Sequence, residues 1–142
     1  MPTTIYFSGS ISGGRGDVAT YRRIVAALES EGHRVLAGSV AADHIGADGD
    51  PLTAREIFER DVRWIEEADV LVAEVSTPST GVGYEIAAAR YRYGMPVICL
   101  YRPAFTKRCT AMVAGDEGIR LIEYGDDSID DLLAQLSRAL RE

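Results

Sequence analysis

Val70-Leu71-Val72-Ala73-Glu74-Val75-Ser76-Thr77-Pro78-Ser79-Thr80-Gly81-Val82-Gly83-Tyr84-Glu85 is the stretch on which the fold turns. Its first part, Val70 to Val75, is a short apolar run broken only by Glu74. It lacks the polar alternation of a half-exposed strand, so it reads as a strand buried on both faces. Ser76 to Thr80 is a turn, and Gly81 to Tyr93 is helical, stopping at Gly94. A second buried run, Met95 to Tyr101, follows at once. Strand, turn, helix and strand in this order make a parallel crossover unit. Working outward, Thr4 to Ser8 is a strand ending at Gly9, and Asp17 caps a helix that runs to Glu31 with Gly32 just past its end. His33 to Leu36 is a second strand and Ala37 to Asp50 is a loop. Asp50-Pro51 starts a helix reaching about Ala68, proline being tolerated at the first helical position. Arg102 to Gly118 is a loop with one short helix, and Ile119 to Tyr124 is a fifth strand. Ser128 to Arg141 closes the chain as a helix with Ile129, Leu132, Leu133, Leu136 and Leu140 on one face.

Strand and helix alternate throughout, which predicts an α/β fold: a doubly wound, five-stranded parallel sheet, flavodoxin/Rossmann-like, with helices on both faces. No repeat or linker divides the chain, so residues 1–142 are expected to form a single domain. Ligands of such sheets bind beyond the carboxyl ends of the strands, at the switch point. The loops after the first, third and fourth strands therefore matter most.

The chain has 15 Lys and Arg against 22 Asp and Glu, a net charge of −7. A duplex-binding domain usually carries a basic face, so nucleic-acid binding is not expected. An anionic small molecule would have to be held by local dipoles. No apolar run reaches the ~18 residues of a membrane span, so no membrane partner is expected. Met1 to Thr4 carries no basic residue, and Ile5-Tyr6-Phe7 is too short for a signal peptide's apolar core. A cytoplasmic location is the expectation. Cys99 and Cys109 are too few for a disulfide framework, and no Cys/His cluster has metal-ligand spacing. Neither a metal nor a cofactor is expected. His33 and His44 are isolated and are assigned to the surface.

Three segments could carry chemistry. Ser8-Gly9-Ser10-Ile11-Ser12-Gly13-Gly14-Arg15 follows the first strand, and its small residues let a ligand approach the backbone amides. It matches neither the Walker A loop nor GxGxxG, and an ordinary flexible turn is the alternative. Ser79 and Thr80 precede a helix, where hydroxyls and amides make an anion site; the alternative is a plain N-cap. A capping box would need Glu or Gln at Val82 or Gly83, so Glu85 is not a capping partner. Finally, at about 100° per residue Asp61 falls among Ile57, Ile65, Phe58 and Val62 on the apolar stripe of its helix. Glu59, Arg60, Arg63, Glu66 and Glu67 fall opposite. A core-facing carboxylate is costly unless it is paired or used. Asp61 is either a general acid or a carboxylate held by an internal hydrogen bond or ion pair. Two carboxylates on successive crossovers suit glycosyl chemistry, one at the oxocarbenium-like carbon and one at the leaving group.

Taken together these segments resemble the nucleoside 2-deoxyribosyltransferase superfamily, and within it the 2′-deoxynucleoside 5′-monophosphate N-hydrolases. The resemblance rests on Tyr6 to Arg15, Asp61-Val62-Arg63-Trp64-Ile65, Ala68 to Val75, Pro78 to Glu85, Leu100-Tyr101-Arg102-Pro103 and Thr110-Ala111-Met112. It implies that Glu85 is the nucleophile that attacks C1′ and forms a glycosyl ester. It implies that Asp61 assists the leaving base and that Tyr6 is an active-site tyrosine. Ser10, Ile11, Ser12 and Gly13 would line the nucleotide pocket, and Ser79 and Gly81 would hold the 5′-phosphate. Thr110 and Met112 would reach a neighbouring subunit's site, which implies a homodimer. Family members often carry Arg at the position of Ser12, Ser at that of Thr110 and, in some, His at that of Ser39. The expected activity is hydrolysis of the N-glycosidic bond of deoxynucleoside 5′-monophosphates. The alternatives are transfer of deoxyribose between bases and non-catalytic nucleotide binding.

Overall fold

A computed structural model of the chain describes residues 3–10, 18–37, 52–103, 108–125 and 127–142. Five strands, β1 (Thr4–Gly9), β2 (Arg34–Leu36), β3 (Val70–Glu74), β4 (Val97–Tyr101) and β5 (Ile119–Glu123), form one sheet in the order β2-β1-β3-β4-β5. Every pairing is parallel. The helices are α1 (Val18–Ser30), α2 (Ala54–Glu67), α3 (Thr80–Ala87), α4 (Ala111–Ala114) and α5 (Ile129–Arg141). This is the doubly wound fold expected, with its switch point between β1 and β3.

Alternation along the strands separates two cores. Ile5, Phe7, Val70, Val72, Ile98 and Leu100 pack with Tyr21, Ile24 and Leu28 of α1 and Leu132 and Leu136 of α5. Tyr6, Leu71, Ala73, Val97 and Cys99 face the other way, onto Ile65 of α2 and Val82 and Ile86 of α3. Period-two geometry thus assigns each strand residue to one side. Gly9 is needed for packing on the first side, where a Cβ would lie 2.9 Å from the Tyr21 ring.

Several local expectations change. The α2 helix is capped by Thr53, whose hydroxyl accepts from Glu56 N–H at 3.1 Å while Glu56 accepts from Thr53 N–H at 3.0 Å. This reciprocal box sets the start of α2 after Pro51, which lies outside the described residues, as do Asp17 and His44. Gly32 and Gly94 end their helices with φ of 93° and 61°, which only glycine adopts cheaply. Before Gly94, α3 continues as a π-helical turn over Ala88–Arg92. His33 is not a bare surface group, because its Nδ1 accepts from Thr3 N–H at 3.2 Å. Among the described residues, no helix is long and apolar enough to cross a membrane.

Candidate active site

Tyr6 and Ser8 lie two residues apart on β1, so both face α3. Glu85, in the second half of α3, receives them together. The Tyr6 phenol donates to Oε2, and the Ser8 hydroxyl donates to Oε1 at 2.7 Å. Ser8 is fully buried and Tyr6 nearly so. Burial pushes the Glu85 carboxyl above its ordinary range, the hydrogen bonds from Tyr6 and Ser8 draw it back, and the negative charge of Asp61 raises it again. Burial, followed by the charges of Glu85 and Asp61, holds the Tyr6 phenol far above its usual value. Tyr6 therefore stays a proton donor throughout the physiological range.

Asp61 comes from α2, with its side chain 21% exposed, and its Oδ1 accepts from Arg60 Nε at 2.9 Å. The Arg60 guanidinium in turn sits 5.0 Å from the centre of the Trp64 ring. The ion pair weighed from the sequence is present, and the Asp61 charge also acts on Tyr6 and Glu85. Phe58 departs from the helical-wheel reading. It is 47% exposed and meets the exposed Tyr84 edge to face, with ring centroids 6.2 Å apart. The buried stripe of α2 is narrower than the wheel indicated, Ile65 being the one fully buried residue of the helix.

Ser79 is the N-cap of α3, and its hydroxyl accepts from Val82 N–H at 3.3 Å. The plain capping role is therefore real. It uses an oxygen lone pair and leaves the hydroxyl hydrogen available to a ligand oxygen. The amides of Thr80 and Gly81 fall in the first turn, where helix geometry supplies no intrahelical acceptor. A Cβ built on Gly81 would meet nothing nearer than the Ser79 hydroxyl at 3.9 Å. Among the described residues, no other atom beyond the adjoining chain lies within 4 Å of that position.

Thr110 caps α4 without a side-chain hydrogen bond, and Met112 is 83% exposed. With Ser79 and Tyr91 they border a groove of about 1100 Å³ between α3 and α4. The α3 residues lining it are Thr80, Gly83, Ile86 and Ala87. At about 100° per residue, Glu85 projects from the opposite side of the helix to Gly83 and Ala87. Thr110 and Met112 are thus not brought to the Glu85 of their own chain, whereas Ser79 borders the groove at the start of the same helix. The Ser10 carbonyl accepts from the Tyr21 hydroxyl at 3.2 Å, and Ser10 is buried. Ile11, Ser12, Gly13 and Ser39 lie outside the described residues.

Sequence reasoning missed Ser8 as a partner of Glu85. Its signal was there: it shares the parity of Tyr6 on the same strand. Cys99 is no rival nucleophile, since burial pushes its thiol up to about 12. Among the described residues, no group of three or more His, Cys, Asp or Glu side chains could hold a metal ion.

The sequence profile of the family described as nucleoside 2-deoxyribosyltransferase matches residues 5–118. A Mus musculus protein named 5-hydroxymethyl-dUMP N-hydrolase is 40% identical over 138 residues, covering 94% of this chain and 79% of its own length. The solved structure of the Clostridium botulinum CMP N-glycosidase BcmB superposes with a TM-score of 0.65 at 17% identity, over 94% of this chain and 98% of that one. A 2-deoxyribosyltransferase from Bacillus psychrosaccharolyticus superposes with a TM-score of 0.66 at 20% identity, over 92% and 90%. At such identities the two structures speak to the fold alone.

Proposed function

The chain belongs to the nucleoside 2-deoxyribosyltransferase family, and from that premise we propose that it is an N-glycosidase that cleaves 2′-deoxynucleoside 5′-monophosphates to free base and 2-deoxyribose 5-phosphate. The observation that carries this reading is the Glu85 carboxylate with each oxygen held by a hydroxyl, from Tyr6 and Ser8, on the helix whose first turn presents Ser79 and Gly81. Substrate bound with its phosphate at that turn would lay the sugar along α3 toward Glu85. One Glu85 oxygen attacks C1′, the C1′–N bond breaks, and its electron pair departs with the base, which takes up a proton. Asp61 guides that departure. Water then attacks C1′ of the glycosyl ester and gives up a proton, which balances the one taken up by the base; Glu85 leaves as carboxylate, and 2-deoxyribose 5-phosphate is released. Splitting one displacement into two easier steps is the benefit of a covalent nucleophile. Neither step uses a metal or a cofactor.

Residues 1–142 act in this proposal as one cytoplasmic domain, working as a homodimer. The support for a dimer is the direction of the groove. Thr110 and Met112 line a groove whose lining does not include Glu85, and in this proposal they serve the site of a second copy. The proposal keeps Ser10, Ile11, Ser12 and Gly13 as the residues that would line the nucleotide pocket. The mouse relative's name adds 5-hydroxymethyl-dUMP to the candidate substrates.

Transfer differs from hydrolysis only in the second step, where a free base replaces water. The test is to incubate the protein with a deoxynucleoside monophosphate and a second free base. Free sugar phosphate alone supports hydrolysis, and a new nucleotide carrying the added base makes the chain a transferase. Tight binding of the monophosphate with no product at all leaves only the binding-module alternative.

Two variants test the parts. Ser8→Ala removes one donor from an anionic carboxylate, an interaction worth roughly 1.5–3 kcal/mol. The acid limb of kcat/KM should move to higher pH by about one to two units, at 1.36 kcal/mol per unit; an unmoved limb in the pH profile would exclude Glu85 as the titrating nucleophile or Ser8 as its partner. Gly81→Ala places a Cβ above the first turn. It should raise KM for the monophosphate about tenfold, costing the equivalent of about 1.4 kcal/mol. Thermal stability should hold or rise, since Ala replaces Gly in a helix at a gain of up to about 1 kcal/mol. An unchanged KM would place the phosphate elsewhere.

A further inference from the structure

Glu74 is 1% exposed at the end of β3, on the opposite face of the sheet from the residues that meet Glu85. The chemistry proposed above does not use it, yet it gathers three donors. The Ser76 amide donates to Oε1 at 2.7 Å, the Ser76 hydroxyl donates to Oε2 at 2.9 Å, and the Tyr124 phenol also donates to Oε2. Tyr124 follows β5, so this contact reaches across the end of β4. The Ser76 oxygen also accepts from the Arg102 amide at 2.9 Å, which ties in the exit of β4. The Arg102 guanidinium lies 5.8 Å from the centre of the Tyr124 ring. One residue earlier, Val75 N–H donates to the Leu100 carbonyl at 2.9 Å. The path of the chain leaving β3 is thus tied to β4 and β5.

That path leads directly to Ser79. A buried carboxylate is an expensive way to hold a turn, since a packed apolar group can replace it at little cost. Its directional hydrogen bonds offer what apolar packing does not: a defined course for the backbone of Ser76 and the residues after it. We propose that Glu74, acting through Ser76 and Tyr124, is a positioning residue for 5′-phosphate binding, because it sets the course of the β3–α3 turn and so the placement of the Ser79 hydroxyl and the Gly81 amide. This rests on the assignment of the phosphate to Ser79 and Gly81. Glu74 itself touches no substrate and sits on the far side of the sheet from Glu85.

The test is steady-state kinetics of Tyr124→Phe, Glu74→Gln, Ser79→Ala and the double variant Ser79→Ala/Tyr124→Phe, using the monophosphate that wild type cleaves fastest. Melting temperatures are recorded alongside. Tyr124→Phe keeps the ring and removes only the phenolic donor, so it remains informative even if Glu74→Gln does not fold. The expected result is a KM raised about tenfold in Tyr124→Phe with kcat within about twofold of wild type. In the Ser79→Ala background the same change should add less than about twofold, because residues acting through one another are not additive. Unchanged KM in Tyr124→Phe, a fall confined to kcat, or full additivity with Ser79→Ala would overturn the inference while leaving the phosphate assignment intact. A wild-type KM in Ser79→Ala would overturn that assignment, and the inference with it.

Discussion

Glu85→Gln is expected to lower turnover by at least about 10³-fold, because removing a covalent nucleophile leaves only the binding and electrostatic share of the rate. The protein should remain folded and still bind the monophosphate. Its stability should change in an unusual direction. Burial raises the Glu85 carboxyl, so the folded chain binds that proton more tightly than the unfolded chain, in which glutamate titrates near ~4.3. The stabilisation linked to protonation is complete below the unfolded value and is lost as pH rises through the folded one. Where the carboxyl is ionised, wild type carries the cost of a buried anion, which the neutral amide removes. Glu85→Gln should melt no lower than wild type at pH 7, and any advantage should shrink as the pH falls. Melting curves at pH 5 and 7, run beside a base-release assay, check both parts. Wild-type-like turnover would remove Glu85 from the chemistry. A Tm well below wild type at pH 7, with no gain toward acid, would show that the carboxylate instead stabilises the fold.

Asp61→Asn should have the second largest effect. Assistance to a leaving group is worth roughly 10²–10⁴-fold, and the loss should depend on the base. A base that departs readily as an anion needs little help, whereas a poor leaving group needs much. The variant should therefore lose most on the slowest substrates of a series. Asp61 also accepts from Arg60, whose guanidinium lies over Trp64. If pairing were its whole role, Asp61→Asn would lower activity on every base by the same factor. Comparing kcat/KM across several deoxynucleoside monophosphates separates the two outcomes.

The fold was legible because β1, β3 and β4 are buried runs and two of the helical segments end at glycines. Val70 to Glu74 reads as a two-faced strand with no tertiary information, and Gly32 and Gly94 mark their helix ends by the φ that each adopts. Tyr6 and Glu85 were named through the family resemblance, and the structure brings them together. Thr53 to Glu56 was readable as a capping box but was overshadowed by the Asp50-Pro51 signal just upstream. Ser8 could have been found from its parity with Tyr6. The Glu74–Tyr124 contact was not readable, because it joins residues fifty positions apart across an intervening strand, and no local pattern encodes that. The π-helical turn after α3 likewise carries no period of its own in the sequence. Polar residues inside apolar runs were the informative exceptions: Glu74 and Asp61 both turned out to be tied by hydrogen bonds.

The most direct test of the hydrolase assignment is chromatography of dGMP, dAMP, dCMP, dTMP and 5-hydroxymethyl-dUMP after incubation with the protein, beside GMP and deoxyguanosine. The account predicts free base and 2-deoxyribose 5-phosphate from at least one deoxynucleoside monophosphate, with little or none from deoxyguanosine. Base release from deoxyguanosine alone, or from none of the seven, would contradict it.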